Sequence, residues 1–330
     1  MSTKNRPIRI DLPFVPGSTV NVYLIQEPEV VLIDAGCNSA ECWSALQSGL
    51  AEFGLTPADL SKVIVTHPHV DHYGLAAKIA NAGKAEVWMC ETGVEWLYDF
   101  PKIYQGRLEY HRETLLPGLG ISPEGQAGFM QWMDFAMRNW QEIPSERIVS
   151  FAVGSQISLG GLAWKVIHTP GHDATIAVFH QPETRQLITS DALLIPTPTP
   201  VVETPPLGES RQPSLPRMLE SMQRLALLDV DIVYTGHGEP FGNHKTVIAS
   251  QIARIHKRKE ECYQHILNGA ATVAELFQRM YGAPATVMGM AGLWMALGYV
   301  DLLVEEGRVT MAEEEAKEEN AWRISAKVPR

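Results

Sequence analysis

The segment that most constrains the fold is HPHVDH at residues 67–72, which contains His67, His69, Asp71 and His72. It follows the apolar, β-branched run Lys62–Thr66, which is typical of a buried strand, and precedes a glycine-flanked helical stretch. Imidazole nitrogens suit zinc, and a carboxylate adds an oxygen donor. The sequence therefore predicts a chain that folds around a metal site at the end of a strand.

The same residue types recur at the ends of three later predicted strands. His172, Asp191 and His237 each follow a short apolar run. Because strand ends meet at one edge of a sheet, where α/β folds place their sites, we expect these side chains to converge. Glycines beside His172 and His237 allow sharp turns near a metal. The candidate metal ligands are His67, His69, Asp71, His72, His172, Asp191 and His237.

Two segments interrupt the alternating strands and helices of the first 244 residues. Residues 91–150 are rich in aromatic residues and methionine at helical spacing, which predicts a helical insertion. We expect these side chains chiefly to pack the insertion onto the main domain, with an apolar wall or lid over a site as the alternative. Residues 196–216 contain seven prolines and predict a long loop, of the kind that is often part of a site.

The pattern changes after residue 244, which predicts a domain of residues 1–244 and a second one of residues 245–330. Three helical stretches are followed by two β-rich runs that could pair around an acidic tip, as in a winged-helix-like domain. Thr272 and Glu275 have the spacing of a capping box at the start of the second helix.

Composition limits the classes of partner and compartment. With 27 Lys and Arg against 38 Asp and Glu, the formal net charge is −11, so the chain has no general attraction for phosphate backbones. We find no signal peptide, no apolar run of membrane-spanning length and no C-x-x-C pair among the four cysteines. We therefore expect a cytoplasmic protein without membrane contact, and we interpret Cys37 as a small buried residue and not as a ligand.

Five separated motifs together resemble the metallo-β-lactamase superfamily over about residues 15–245. They are VLIDAG with Asp34, the cluster at residues 67–72, TPGHD with His172, SDALL with Asp191, and TGHG with His237. The resemblance implies an αββα sandwich with a two-metal site. The family's third motif often has Thr or Ser after the histidine, whereas this chain has Asp173, which we interpret as the cap of the next turn, with orientation of a ligand or of substrate as the alternative.

The resemblance also implies a role for each residue. His67, His69 and His172 would hold one divalent metal ion, and Asp71, His72 and His237 a second. Asp191 would bridge both ions, and Asp34 would orient a ligand from behind. The expected metal is zinc, with iron or manganese as alternatives. Two such ions lower the pKa of a shared water, which supplies a hydroxide nucleophile, and the catalytic Asp71 would orient it or shuttle a proton.

The expected function is hydrolysis of an ester, thioester or lactone carbonyl in a small, partly apolar substrate. The glyoxalase II-like thioesterases share these motifs, but their basic glutathione-binding pattern is not clear in this C-terminal segment. The alternative is a phosphodiesterase that cleaves single-stranded RNA, because a winged-helix-like domain after this fold resembles the β-lactamase-like protein 2 group. Residues 245–330 have balanced charge and an acidic wing, so we expect no nucleic-acid partner and interpret this domain as a packing or homodimer element.

Overall fold

The computed structural model describes residues 6–15, 17–202, 211–282, 289–313 and 321–327. Six strands form the first sheet, in the order in which they follow along the chain. β1, β2 and β3 pair in antiparallel fashion, and β3 to β6 are parallel. The strands are β1 (Ile8–Pro13), β2 (Thr19–Ile25), β3 (Val31–Ile33), β4 (Lys62–Val65), β5 (Glu86–Cys90) and β6 (Ile148–Phe151).

The edge strand β1 is a feature that the sequence patterns missed. Ile10 and Leu12 are buried and alternate with Arg9 and Asp11, which is the pattern of a strand with one face on the core. Prolines at both ends mask this pattern, and an edge strand tolerates them because its outer face needs no ladder hydrogen bond.

Five strands form the second sheet, in the order β11, β10, β9, β8, β7. All neighbours are antiparallel except β10 and β11, which are parallel. The strands are β7 (Gln156–Leu159), β8 (Leu162–His168), β9 (Ala177–Gln181), β10 (Gln186–Ser190) and β11 (Ile232–Thr235).

The two sheets face each other across an apolar core. Ile33 and Ile64 of the first sheet share one buried cluster with Trp164, Phe179 and Ile188 of the second. β3 and β4 are buried on both faces, which explains their continuous apolar runs. The structure therefore has the two central sheet layers that the family resemblance implies.

Helices cover the outer faces of both sheets. α1 and α3 pack on the first sheet, and α7 and α8 pack on the second. The helices are α1 (Ala40–Ala51), α2 (Val70–Tyr73), α3 (Ala76–Ala82), α4 (Glu95–Tyr110), α5 (Leu116–Gly118), α6 (Pro123–Asn139), α7 (Ser214–Ala226), α8 (His244–Leu267), α9 (Val273–Tyr281) and α10 (Met290–Glu305).

Helices α4 to α6 lie between β5 and β6, within the predicted insertion. α4 is kinked at Asp99 and continues into the π-helical turn His111–Leu115. Phe100 packs in the core beside the first sheet, and Phe129 packs in the core beside the second. The insertion is thus anchored on both halves of the sandwich.

The C-terminal segment consists of α8, α9, α10 and a hairpin of β12 (Val309–Glu313) and β13 (Trp322–Ala326). Thr272 accepts a hydrogen bond from the backbone N–H of Glu275, whose carboxylate accepts one from the N–H of Ala271. The predicted capping box therefore forms in part. The Glu275 carboxylate accepts from the N–H of Ala271 and not from that of the cap residue Thr272. The sequence predicts the third helical stretch at residues 286–306, and its start lies outside the described residues. The acidic tip between the two β-rich runs, at residues 314–320, also lies outside them.

This segment shares one core with the main sandwich. Ile255 of α8 and Leu297 of α10 belong to the same buried cluster as Leu187 of β10 and Leu215 of α7. No helix within the described ranges is both long enough and apolar enough to span a membrane.

Candidate metal centre

All seven predicted ligands lie beyond strand ends at one edge of the sandwich. His67, His69, Asp71 and His72 occupy the loop after β4 and the short helix α2. His172, Asp191 and His237 follow β8, β10 and β11, respectively. The strand-end argument from the sequence thus describes the observed placement.

The first group consists of three histidines whose ring nitrogens point at one another. His69 Nδ1 lies 3.1 Å from His67 Nε2 and 3.0 Å from His172 Nε2. These nitrogens are close enough to ligate one ion, and they are the three that the resemblance assigns to the first metal.

The second group consists of Asp71, His72 and His237. Asp71 Oδ2 lies 3.6 Å from His72 Nε2 and 3.3 Å from His237 Nε2. One carboxylate oxygen and two imidazole nitrogens therefore face a common point, as a second ion would require.

Asp191 lies between the two groups. Its Oδ2 is 3.4 Å from His172 Nε2 in the first group, and it is 3.5 Å from His72 Nε2 and 3.4 Å from His237 Nε2 in the second. A single carboxylate in contact with both groups has the position that a bridging ligand needs.

Asp34 orients the cluster from behind. His72 Nδ1 donates to Asp34 Oδ2 at 2.9 Å, and the hydroxyls of Ser190 and Thr66 donate to the same oxygen at 2.8 and 3.0 Å. His67 Nδ1 lies 3.0 Å from the Thr66 hydroxyl. Asp34 adopts a left-handed backbone with φ of 60°, an uncommon conformation that the surrounding hydrogen bonds hold in place.

Backbone carbonyls orient two further ligands. His172 Nδ1 donates to the carbonyl of Pro200 at 2.7 Å, and His237 Nδ1 donates to that of Thr19 at 2.6 Å. Hydrogen bonds to the free ring nitrogen fix the tautomer and direct the other nitrogen at a metal. The Pro-rich loop therefore holds a ligand in addition to shaping its surroundings.

The donor set fits divalent metal ions. His72 Nε2 and Asp191 Oδ1 are buried without a hydrogen-bond partner among the described residues. Such orphaned polar atoms are costly in a protein interior unless an ion or another polar group satisfies them. Five imidazoles and two carboxylates are ligands suited to zinc and similar first-row ions.

The pKa values of His69 in the first group and His237 in the second are shifted in opposite directions. Burial, with a contribution from His172, lowers the pKa of His69 to about 3, so its lone pair is available to a metal. Burial alone would also lower the pKa of His237, but its hydrogen bonds with Asp191 and Asp71 raise that pKa to about 10. Burial would lower the pKa of His72 as well, but the carboxylates of Asp71, Asp191 and Asp34 raise it above its usual value. In the metal-free protein the histidines of the second group, His237 among them, therefore hold protons that a metal must displace.

We expect metal affinity at the second group to increase with pH. Below a pKa of about 10, an incoming metal must displace the proton of His237, so each pH unit should strengthen binding about tenfold per proton released. Competition with a fluorescent zinc chelator at pH 6, 7 and 8, corrected for the chelator's own protonation, measures this slope. Equal affinity across that range would contradict the assignment of His237.

Two residues that the sequence interprets as structural can now be placed. Asp173 Oδ1 accepts hydrogen bonds from the N–H and hydroxyl of Thr175, so Asp173 does cap the next turn. Its Oδ2 also faces His69 Nε2 at 3.8 Å, which places the same carboxylate behind a ligand. Cys37 is buried, and burial raises the pKa of its thiol, as expected of a residue that is not a ligand.

A cavity of about 410 Å³ opens over the candidate ligands. His69, Asp71, His172, Asp191 and His237 line it together with three predicted segments: the insertion, the Pro-rich loop and α10. The insertion therefore does more than pack against the sandwich. The large apolar and aromatic side chains of these segments in the cavity wall are Phe100, Tyr104, Trp132, Met133, Val201, Met290 and Trp294.

Comparison with known proteins identifies the family. The family model described as "Metallo-beta-lactamase superfamily" matches residues 15–237, more than half of the chain. The chain belongs to the metallo-β-lactamase superfamily. It is 27% identical over 311 residues to "Probable metallo-hydrolase YqjP" of Bacillus subtilis (strain 168), a match that covers 92% of this chain and 93% of the relative.

Two solved structures share the metallo-β-lactamase fold over nearly the whole chain. The family protein TTHA1429 from Thermus thermophilus has a TM-score of 0.73 at 24% identity, covering 97% of this chain and 98% of its own. A β-lactamase domain protein from Burkholderia ambifaria has a TM-score of 0.72 at 21% identity, covering 97% and 91%. The shared fold therefore extends to the C-terminal helices.

One polar residue of this metallo-β-lactamase cavity was missed by the sequence patterns. Arg107 lines the cavity with Tyr104 and His111, whereas Arg112 in the next turn is exposed and lies outside the lining. Spacings of four, three and four residues from Phe100 place Tyr104, Arg107 and His111 on one helix face, which could have indicated Arg107.

We expect Asp34→Asn to weaken metal binding about 10- to 100-fold, the usual effect of losing a hydrogen-bond partner behind a metal ligand. The neutral amide removes the charge that holds His72 in its tautomer. Chelator competition on the variant and on Asp231→Asn, which removes an exposed carboxylate, makes the comparison. Wild-type metal affinity in the Asp34→Asn variant would show that Asp34 does not support the metal ligands.

Proposed function

We propose that the chain is a binuclear metal-dependent hydrolase that acts on an ester, thioester or lactone carbonyl of a small, partly apolar substrate. The observation that carries this proposal is the convergence of five histidines and two aspartates beside an apolar cavity. Family membership and similarity to a curated metallo-hydrolase agree with it.

In this proposal the ligands divide between two ions according to the two groups of facing side chains. Two divalent ions, with zinc as the proposed metal, would supply a water of lowered pKa and polarise the substrate carbonyl. The first group would hold one ion and the second group the other, with Asp191 in contact with both. Asp71 belongs to the second group and also lines the cavity, where its carboxylate can orient the nucleophile and pass a proton to the leaving group.

The cavity wall supports a carbonyl substrate better than RNA. Aromatic and aliphatic side chains bind an acyl chain and exclude water from the reacting carbonyl. A single-stranded RNA needs a groove that follows its backbone with several cations. Among the described lining residues, Arg107 is the one Lys or Arg.

We also propose that the C-terminal helices and hairpin form a winged-helix-like unit that completes the cavity. Met290, Ala291 and Trp294 of α10 line the cavity, and the Trp294 ring lies beside His111 and Phe129 of the insertion. We further propose that two chains form a homodimer through this unit. We also propose a cytoplasmic location, where the four free and buried cysteines would stay reduced.

A parallel hydrolysis screen on metal-quantified protein tests this function. The panel contains acyl-CoA and glutathione thioesters, aryl esters, lactones, bis-p-nitrophenyl phosphate and a single-stranded RNA. We expect turnover of at least one carbonyl class, loss of that turnover after chelation and its recovery with zinc. Cleavage of RNA or the phosphodiester, with every carbonyl substrate inert, would contradict the proposal.

A further inference from the structure

Arg107 is the one Lys or Arg among the described residues that line the cavity. It is partly buried, and its Nε is buried without a hydrogen-bond partner among the described residues. No carboxylate in the described part of the chain forms a salt bridge with it. The centre of the Tyr104 ring lies 5.9 Å from its Cζ, at the outer limit of a cation–π contact. The described part of the protein therefore supplies neither a hydrogen bond to Nε nor a salt bridge to this guanidinium.

The helix that carries Arg107 is held firmly. Phe100 and Tyr104 stack at 5.1 Å, and the Tyr104 hydroxyl donates to the carbonyl of Met133 on α6. His111, in the π-helical turn, donates from Nδ1 to the Arg107 carbonyl at 2.8 Å. The guanidinium therefore extends from a fixed backbone, which is what a recognition residue needs.

The carboxylates of the metal centre do not pair with Arg107. Asp71 and Asp191 belong to the donor set, and Asp34 and Asp173 lie behind it. All four are buried, and their recorded ion pairs in the described part of the chain are with histidines. The guanidinium is therefore left for a group that enters the cavity.

We propose that Arg107 binds an anionic group of the substrate, so that the substrate is an apolar ester, thioester or lactone that also carries a carboxylate or phosphate. This inference rests on the proposed function for the reacting bond, but the anion site itself does not. A planar guanidinium offers paired N–H donors to either group. His111 does not compete for the anion, because burial lowers its pKa to about 3 and leaves it neutral.

A pair of fluorescent probes tests the anion site without catalysis. 8-Anilinonaphthalene-1-sulfonate and N-phenyl-1-naphthylamine share one ring system, and only the first is charged. In the metal-loaded protein, Arg107→Met should weaken the anionic probe about 10- to 100-fold, the range for a hydrogen bond to a charged group. The neutral probe should change less than twofold. Arg112→Met, which removes an exposed charge from the adjacent turn, should change neither.

Kinetics on matched esters extend the test to substrate. The three substrates are 4-nitrophenyl octanoate and its analogues with a terminal carboxylate or a terminal phosphate. Wild type should prefer one or both anionic esters about 10- to 100-fold in kcat/KM, and Arg107→Met should abolish that preference mainly through KM. Whichever analogue is preferred identifies the anion.

The outcomes separate the two proposals. Equal weakening of both probes by Arg107→Met, or no weakening, would overturn the anion site, even if ester hydrolysis is intact. Discrimination between the probes in a protein that hydrolyses no carbonyl substrate would support the anion site and contradict the proposed function. Arg107→Lys keeps the charge without the planar guanidinium, so its affinity for the anionic probe should lie between those of wild type and Arg107→Met. This variant is also the control for misfolding of Arg107→Met.

Discussion

Asp191→Asn is expected to lower kcat/KM for the preferred substrate on the order of 10³-fold and to reduce bound metal below two ions per chain. Asp191 Oδ2 lies within 3.5 Å of nitrogens from both histidine groups. An amide has nearly the same shape but lacks the negative charge that two adjacent cations require between them. Elemental analysis and steady-state kinetics on the same sample measure both effects.

Because Asn has nearly the same shape as Asp, the Asp191→Asn variant separates the effect of the lost charge from any effect of lost packing. Asp191 is 5% exposed, so a truncation would leave a void, whereas Asn fills the same volume. Asp231→Asn, at an exposed carboxylate, is the matched control and should keep wild-type metal content and activity. An Asp191→Asn protein with two ions and full turnover would show that this carboxylate does not join the groups.

Gly236→Ala is expected to remove metal binding and activity together, although it adds a single methyl group. A Cβ at position 236 would lie 2.1 Å from Asp191 Oδ1 and 2.9 Å from His72 Cε1. These side chains can move away only by leaving the positions in which they face the other ligands. We expect an activity loss on the order of 100-fold or more, comparable to the loss of a hydrogen-bond partner behind a metal ligand.

Gly238→Asn is the control for this change. Gly238 has open space around its Cα and a φ of 74°, a conformation that Asn tolerates better than most residues. It lies on the other side of His237, so both variants alter the same loop. Full activity in Gly236→Ala, measured beside a thermal melt of each variant, would show that Asp191 and His72 need not hold their observed positions.

The ligands could be predicted from sequence because their placement follows from topology. A ligand directly after a parallel or central strand must emerge at that strand's end, and β3, β4, β10 and β11 all end at the same edge. The position of each ligand directly after a strand was therefore enough to predict that ligands distant in sequence meet at one edge. Asp34 was placed beside the cluster by the family resemblance instead; it follows β3 and holds His72.

Contacts between segments distant in sequence could not be predicted in this way. The carbonyl of Pro200 accepts from His172, and the carbonyl of Thr19 accepts from His237. Backbone acceptors carry no residue-type signal, so no sequence pattern marks them. Arg107 was missed for a related reason: a helix face is visible in the sequence, but the direction in which the kinked α4 turns that face depends on its packing against α6.

Anomalous diffraction from crystals of the zinc-loaded protein tests the central claim most directly. We predict two anomalous peaks at the zinc edge, about 3.5–4 Å apart as in other two-metal sites. One should lie among His67, His69 and His172, and the other among Asp71, His72 and His237, with Asp191 between them. A single peak, or peaks away from these seven side chains, would contradict the binuclear account.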